Sequence, residues 1–348
     1  MKKSVSIFLS GALALSLITP CFAESSRPTQ SFKDVPPTHA AYEAVEYLKT
    51  RGVVGGYSDG TFKPGNKVNR AEAVKIIVNT VVTSDVLQSY TASSYADVAP
   101  SDWFFPFVEH AYKKMKIIKG PPETNLFHGN RAITKAEFLK MALPAFGSDV
   151  NSYSEVKLPL SSDVSDPAAW YYPSLRYAIS ASMTMANKDR LFQPEKELTR
   201  QDVALLLHRY FLYFENKRTQ VLLDEVAGEI EAARGMLEKQ DIVPAEYASA
   251  RALVAARGAL TSSPKEAIVK AVVKLAEGYR FIVRAYRAGI AGDFETLIKL
   301  AGEAWSSAEQ GKKFHSLPAI IQLQTDAKSL ADSARTLNKS ASSSTQPK

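Results

Sequence analysis

The chain has one cysteine in 348 residues, Cys21, and it lies in a stretch that reads as removable. Residues 1–23 begin with Lys2 and Lys3, continue through an apolar run from Val5 to Ile18, and end in Cys21-Phe22-Ala23 before Glu24. This is the pattern of a secretory signal cleaved after Ala23. Pro20 stands before Cys21, where lipidation needs a small residue. Without Cys21 the mature chain would hold no disulfide, no thiolate metal site and no cysteine nucleophile. No later apolar run is long enough for a membrane helix, so no transmembrane segment is expected in the mature chain. The five histidines, His39, His110, His128, His208 and His315, include no pair at zinc spacing. HExxH, GxSxG and phosphate-loop patterns are absent too, and no cofactor is expected.

Charge of one sign is also scarce. The formal net charge of +7 drops to +5 on loss of Lys2 and Lys3, and residues 24–215 carry 22 basic against 21 acidic side chains. So even a balance argues against a nucleic-acid partner and allows an anionic polymer held at a few points. An alternating strand series is missing, which excludes an outer-membrane barrel.

What is present is a threefold internal repeat. Phe62 and Arg70, Phe127 and Lys135, and Phe192 and Arg200 are each eight residues apart, and the step between copies is 65 residues both times. Asp34-Val35, Asp97-Val98 and Asp163-Val164 precede the basic residues by 36, 38 and 37 positions. Repeats of this length are supersecondary units that bury their apolar faces on one another. Each unit reads as helix, long turn, helix. In the first, Ala41, Val45 and Leu48 share a helical face, Gly55-Gly56 and Asp59-Gly60 let the turn fold back through positive φ, and Asn69-Arg70-Ala71-Glu72 opens the second helix with a capping box. Thr134-Lys135-Ala136-Glu137 and Thr199-Arg200-Gln201-Asp202 repeat that start.

The blocks SFKDV, GVVGGYSDGTFKP and VNRAE resemble the signature of the surface-layer homology (SLH) domain, in three copies over about residues 31–83, 92–146 and 159–214. The resemblance implies a mainly α fold, a pseudo-threefold bundle whose grooves bind a secondary cell-wall polysaccharide, often one with pyruvate ketals. It places the protein at the cell surface, in the wall or S-layer, with other surface-layer proteins as further candidate partners. Carried over by position, the candidate binding residues are Asp34, Gly56, Tyr57 and Arg70 in copy one, Asp97, Trp103, Gly120 and Lys135 in copy two, and Asp163, Trp170 and Arg200 in copy three. Copy one has Ala40 where the others have tryptophan, copy two replaces the loop tyrosine and aspartate by Gly120-Pro121-Pro122, and copy three has no loop glycines. The grooves are therefore expected to be unequal.

A basic residue in the first turn of a capped helix is an anion site in principle, because free backbone amides and the helix dipole favour negative charge. Arginine adds a bidentate fork that lysine cannot. Arg70 and Arg200 are thus expected to outrank Lys135, and their replacement by alanine to abolish wall retention with the fold intact. The aspartates have two open roles, accepting sugar hydroxyls or tying down the loop. Trp103 and Trp170 have two as well, stacking on a sugar or packing in the core. Phe62, Phe127 and Phe192 read as core.

Beyond Phe214 the composition turns to alanine. Without a strong breaker, the last repeat helix is expected to run on toward Gln240. Leu223, Val226, Ile230, Ala233 and Leu237 form a packing seam, and further helices are expected near 244–260, 264–288, 293–310 and 317–338, the second of these capped by Ser263 with Pro264 in its first turn and Glu266 completing a box. Residues 216–338 read as a helical bundle and 339–348 as a disordered tail. A binding and structural protein is favoured over an enzyme. The alternative is an envelope enzyme acting on peptidoglycan or glycan, localised by its repeats, with activity in the C-terminal domain.

Overall fold

A computed structural model describes residues 30–83, 86–87, 90–119 and 125–343. Among them are eleven helices and only isolated β-bridges, a mainly α chain. The repeats supply α1 (Tyr42–Thr50), α2 (Arg70–Val81), α3 (Phe105–Lys113), α4 (Lys135–Ala145), α5 (Tyr172–Ser180) and α6 (Arg200–Phe214). The rest supplies α7 (Thr219–Glu238), α8 (Ile242–Ser262), α9 (Ala267–Ile290), α10 (Phe294–Phe314) and α11 (Pro318–Ser343). The signal stretch, Gly120 and residues 344–348 lie outside the described residues.

The second helix of every repeat starts where its capping box places it. Asn69 Oδ1 accepts from the Glu72 N–H at 2.8 Å, and Glu72 Oε2 accepts from the Asn69 N–H at 2.9 Å. Thr134 with Glu137 and Thr199 with Asp202 do the same. Just before these caps, three buried residues spaced by 65 close a ring of backbone hydrogen bonds. Val68 N–H donates to Leu198 O at 2.9 Å, Leu198 N–H to Ile133 O at 2.9 Å, and Ile133 N–H to Val68 O at 3.0 Å. Each repeat thereby satisfies backbone polar groups of the next, and the ring marks the pseudo-threefold axis. Phe62, Phe127 and Phe192 pack into the core beneath it.

The three loops are pinned by the aspartates. Asp34 accepts from the N–H groups of Phe62 and Lys63 at 2.7 and 2.8 Å, Asp97 from Phe127 and His128 at 2.6 and 2.7 Å, and Asp163 from Phe192 and Gln193 at 3.3 and 2.7 Å. The second donor in each pair sits at positive φ, 57°, 58° and 52°, so charged carboxylates hold a backbone shape that side chains rarely adopt. Gly60 has φ +79°, whereas Gly55 and Gly56 lie outside the positive-φ region. Gly56 is required for space instead: a Cβ there would come within 2.3 Å of the Phe32 ring and 2.7 Å of Thr61 O. In the third copy the corresponding positions are Ser161 and Ala186, so the smaller neighbour accommodates the methyl.

Three expectations for the C-terminal part fail, the first because α11 runs on to Ser343, into the stretch 339–348 expected to be a disordered tail. Asn216, at φ 56°, breaks the chain after Phe214, and α7 starts afresh at Thr219. Ser263 does not cap α9, because its hydroxyl is engaged by Thr219 at 2.8 Å; Pro264 precedes the helix, and Glu266 is its N-cap without a side-chain bond.

The bundle packs directly on the third repeat. Eight of nine residues of α5 are buried, against five of nine in α1 and in α3, because α8 covers α5. Gly258 makes the approach possible: a Cβ there would meet Ser180 O at 1.7 Å. Tyr213 Oη donates to Gly258 O at 3.2 Å. Arg251, almost completely buried, forks onto both oxygens of Glu229 at 2.7 Å and donates to Leu160 O at 2.6 Å. Three hydrogen bonds compensate a guanidinium removed from water.

Candidate functional site

The basic residues at the helix starts reach across the repeat boundaries in a cycle. Arg200 of the third repeat donates from Nε to Phe62 O at 2.7 Å and from Nη2 to Gly55 O at 2.8 Å, both in the first repeat. Lys135 of the second donates to Phe192 O of the third at 2.5 Å. The Arg70 guanidinium of the first lies 5.2 Å over the Phe127 ring of the second. Burial lowers the pKa of both Lys135 and Arg70. These cations are half-buried pillars between repeats as well as charges facing a groove.

The backbone amides beside them are not free. The N–H groups of Arg70 and Ala71 donate to Arg131 O and Gly129 O, those of Lys135 and Ala136 to Lys196 O and Pro194 O, and those of Arg200 and Gln201 to Asn66 O and Pro64 O. The third amide of each helix is taken by its cap. The expected helix-start anion site is therefore absent, because the neighbouring repeat consumes the donors that would form it.

What the packing builds instead is a groove of about 520 Å³. It is lined by Gly55, Gly56 and Tyr57 of the first loop, by Lys75, Ile76 and Asn79 on α2, and by Trp103 and Arg200. Four of the candidate residues, from three different repeats, thus meet here: Gly56, Tyr57, Trp103 and Arg200. Trp103 is 52% exposed and Tyr57 38%, so neither is core. Arg200 lies 5.1 Å from the Tyr57 ring centre, and Lys63 4.1 Å from it. Lys75 Nζ sits 5.1 Å above the Trp103 ring. With Lys49 also present and Glu72 committed to its capping box, the groove offers aromatic faces between fixed positive charges.

Lys75 was not singled out by the sequence reading, although its spacing carried the signal: Lys140 is 65 residues on and lies 4.6 Å over Trp170. That pair, with Arg70, marks the second groove; its Gly120 lies outside the described residues. Trp170 is 49% exposed. The third groove has neither partner, since Ala40 and Leu205 occupy those positions and only Lys135 remains. There Arg209 donates to Met183 O at 3.3 Å and Arg218 to Ser182 Oγ at 2.6 Å, tying the loop to α6 and the start of α7. Asp34, Asp97 and Asp163 stand behind the grooves with both oxygens used by the loops.

Comparison with known proteins identifies the repeated unit. The S-layer homology domain family model matches residues 31–74, 94–139 and 162–204, one segment per repeat. The chain carries three SLH domains. An S-layer protein, sap, of Bacillus anthracis is 23% identical over 299 residues, 83% of this chain and 34% of that protein. A surface layer protein of Brevibacillus choshinensis is 32% identical over 42% of this chain and 13% of its own length, and a surface-layer 125 kDa protein of Lysinibacillus sphaericus is 27% identical over 57% and 16%. The chain spans about a third or less of these relatives. With its SLH domains it is a cell-surface, S-layer or S-layer-associated protein, and the relatives are named as S-layer or surface proteins. No helix among the described residues is long and apolar enough to cross a membrane.

Proposed function

We propose that the three SLH domains anchor the chain non-covalently by binding a secondary cell-wall polysaccharide, with the first groove as the principal site. The observation that carries this reading is the convergence of Tyr57, Trp103, Lys75 and Arg200 on one open groove. An exposed indole flanked by a loop tyrosine offers apolar faces to a pyranose ring, and the cations select an anionic sugar. Arg200 Nη1 has no partner among the described residues, so one arm of the guanidinium is available to a carboxylate such as that of a pyruvate ketal. The second groove, with Trp170, Lys140 and Arg70, acts as a further site, and the third, without the tryptophan–lysine pair, contributes little. Two sites on one polymer raise the overall affinity through effective concentration.

Co-sedimentation of the chain with purified wall sacculi tests the reading, before and after chemical removal of the secondary polysaccharide. Binding that vanishes with the polymer, and falls in Trp103→Ala, supports it. Binding indifferent to the polymer overturns it.

A further inference from the structure

We infer that Arg280 and Arg284, one turn apart on α9 where the bundle meets the third repeat, form a receptor for a phosphate group. The pair lies outside the repeats, so it does not depend on how the grooves above are read.

The helix α9 carries the cations Lys270, Lys274, Arg280, Arg284 and Arg287, and the packing gives three of them partners. Lys274 donates to Glu277 at 2.7 Å, Arg287 donates to Glu246 at 2.6 Å, and Lys270 lies 6.0 Å from the centre of the Phe314 ring. Arg280 and Arg284 have neither a hydrogen bond nor an ion pair among the described residues; Arg284 lies 5.9 Å over Phe281 of its own helix. Arg284 is exposed, but Arg280 is half-buried, and that sets it apart. The other buried or half-buried arginines of the bundle, Arg218, Arg234, Arg251 and Arg257, are each held by a side-chain acceptor. A guanidinium withdrawn from water without an acceptor is costly. Burial, followed by the positive charge of Arg284, lowers its pKa. None of the Arg280 nitrogens is sealed from solvent, so a ligand can reach them.

The acids around the pair are taken. Glu246, whose charge reaches Arg280, is held by Arg287, and Glu277 is shared by Lys274 and Arg257. Tyr172, at the start of α5, is also within electrostatic reach of Arg280, but its hydroxyl serves Val156 and Leu158. On that segment Glu155 acts on Arg176, while Lys157 is exposed and has no ion pair, adding positive charge.

Residues four apart on a helix hold their Cβ atoms about 5–6 Å from one another, so both guanidiniums can turn a fork toward one group. A carboxylate would neutralise only one of them. A phosphate monoester or free phosphate carries about −1.5 to −2 at neutral pH and offers three or more terminal oxygens, enough for both forks. The phosphate is either the free ion or a group esterified to a larger molecule.

Titrating the full chain with sodium phosphate at fixed ionic strength, while following the Nε–H groups of Arg280 and Arg284 by NMR, tests the proposal, with sodium acetate as control. Saturable shifts of both groups are expected with phosphate, and binding weaker by about tenfold or more with acetate. Arg280→Gln and Arg284→Gln should each weaken phosphate binding about tenfold, read at the remaining arginine. The melting temperature in phosphate-free buffer should not fall, since neither side chain makes a bond within the fold; Arg284, being exposed, also leaves packing untouched. Glycerol 3-phosphate binding as tightly as phosphate would support an esterified ligand, and its exclusion would support the free ion. Equal responses to phosphate and acetate, silence of both Nε–H groups, or phosphate binding retained in both variants would overturn the proposal.

Discussion

The Nε of Arg200 donates to the carbonyl oxygen of Phe62 at 2.7 Å across 138 residues of chain, joining the third repeat to the first beneath the groove that Arg200 also lines. One guanidinium thus holds a loop in place and presents charge to a ligand. Lys135 makes the corresponding bond to Phe192 O, which shows that an ammonium suffices for the structural half of the task.

Arg200→Lys should therefore keep the fold and lose the fork to an anionic sugar, weakening wall binding about tenfold. Arg200→Ala should also leave Phe62 O and Gly55 O without this donor, destabilising the chain by about 1–3 kcal/mol. Thermal melts beside sacculus co-sedimentation separate the two effects. The sequence-based expectation that alanine spares the fold does not survive this geometry.

Trp103→Ala removes an indole that is half in solvent, so stability should stay within about 0.5 kcal/mol of the parent. Affinity for soluble wall polysaccharide should fall by about 1–2 kcal/mol in calorimetry. Adding Trp170→Ala should cost more than either change alone; no further loss would mean that the second groove is idle.

Gly56→Ala should destabilise by about 1–3 kcal/mol through its collision with Phe32. Phe32→Ser alone should cost about 3–5 kcal/mol by opening a cavity. The double variant reproduces the Ser161 and Ala186 of the third copy, and its loss should be smaller than the sum by about 1 kcal/mol or more. Strict additivity in urea unfolding would refute the steric account.

A fragment ending at residue 215 should be less stable than the full chain, because it bares α5 with Tyr172, Leu175 and Ile179. Gly258→Val should mimic this within the full chain by driving a side chain into Ser180 O. Calorimetry is expected to show one cooperative transition for the parent and separated transitions for Gly258→Val. A single unshifted transition would show that the bundle and repeats are not energetically coupled.

His208, on α6 against Tyr47, has its pKa pushed down to about 4 by burial, with Arg218 and Arg209 adding to the effect. The unfolded chain binds this proton near pH 6.5 and the folded chain only near 4, so stability is complete above that range and declines as pH falls through it. Discounted for partial exposure, the loss is about 2 kcal/mol. His208→Gln should flatten the melting temperature between pH 6.5 and 4.

The sequence was most legible where the physics is local. Capping boxes need only four consecutive residues, and Asn69, Thr134 and Thr199 start their helices where those boxes place them. Spacing by 65 also revealed the repeat and the core phenylalanines. Lys75 and Lys140 obeyed the same spacing, but that recurrence went unread, because their partnership with Trp103 and Trp170 shows only once the repeats are assembled.

What the sequence determined by itself was the unit: a helix pair whose second member is capped, the long turn between them and its threefold recurrence, all set within about sixty-five residues. What only the tertiary structure decided was the role of each side chain between units. The cyclic packing took up the helix-start amides that had looked available to a ligand, turned Arg200 and Lys135 into struts, and brought Tyr57, Trp103 and Arg200 from three repeats into one groove. It also placed Gly258 on Ser180, where absence of a single Cβ lets the bundle close over α5. Hydrogen bonds and steric limits between residues of different repeats or domains do not follow from the local pattern of either partner, so they become visible only when the repeats are assembled.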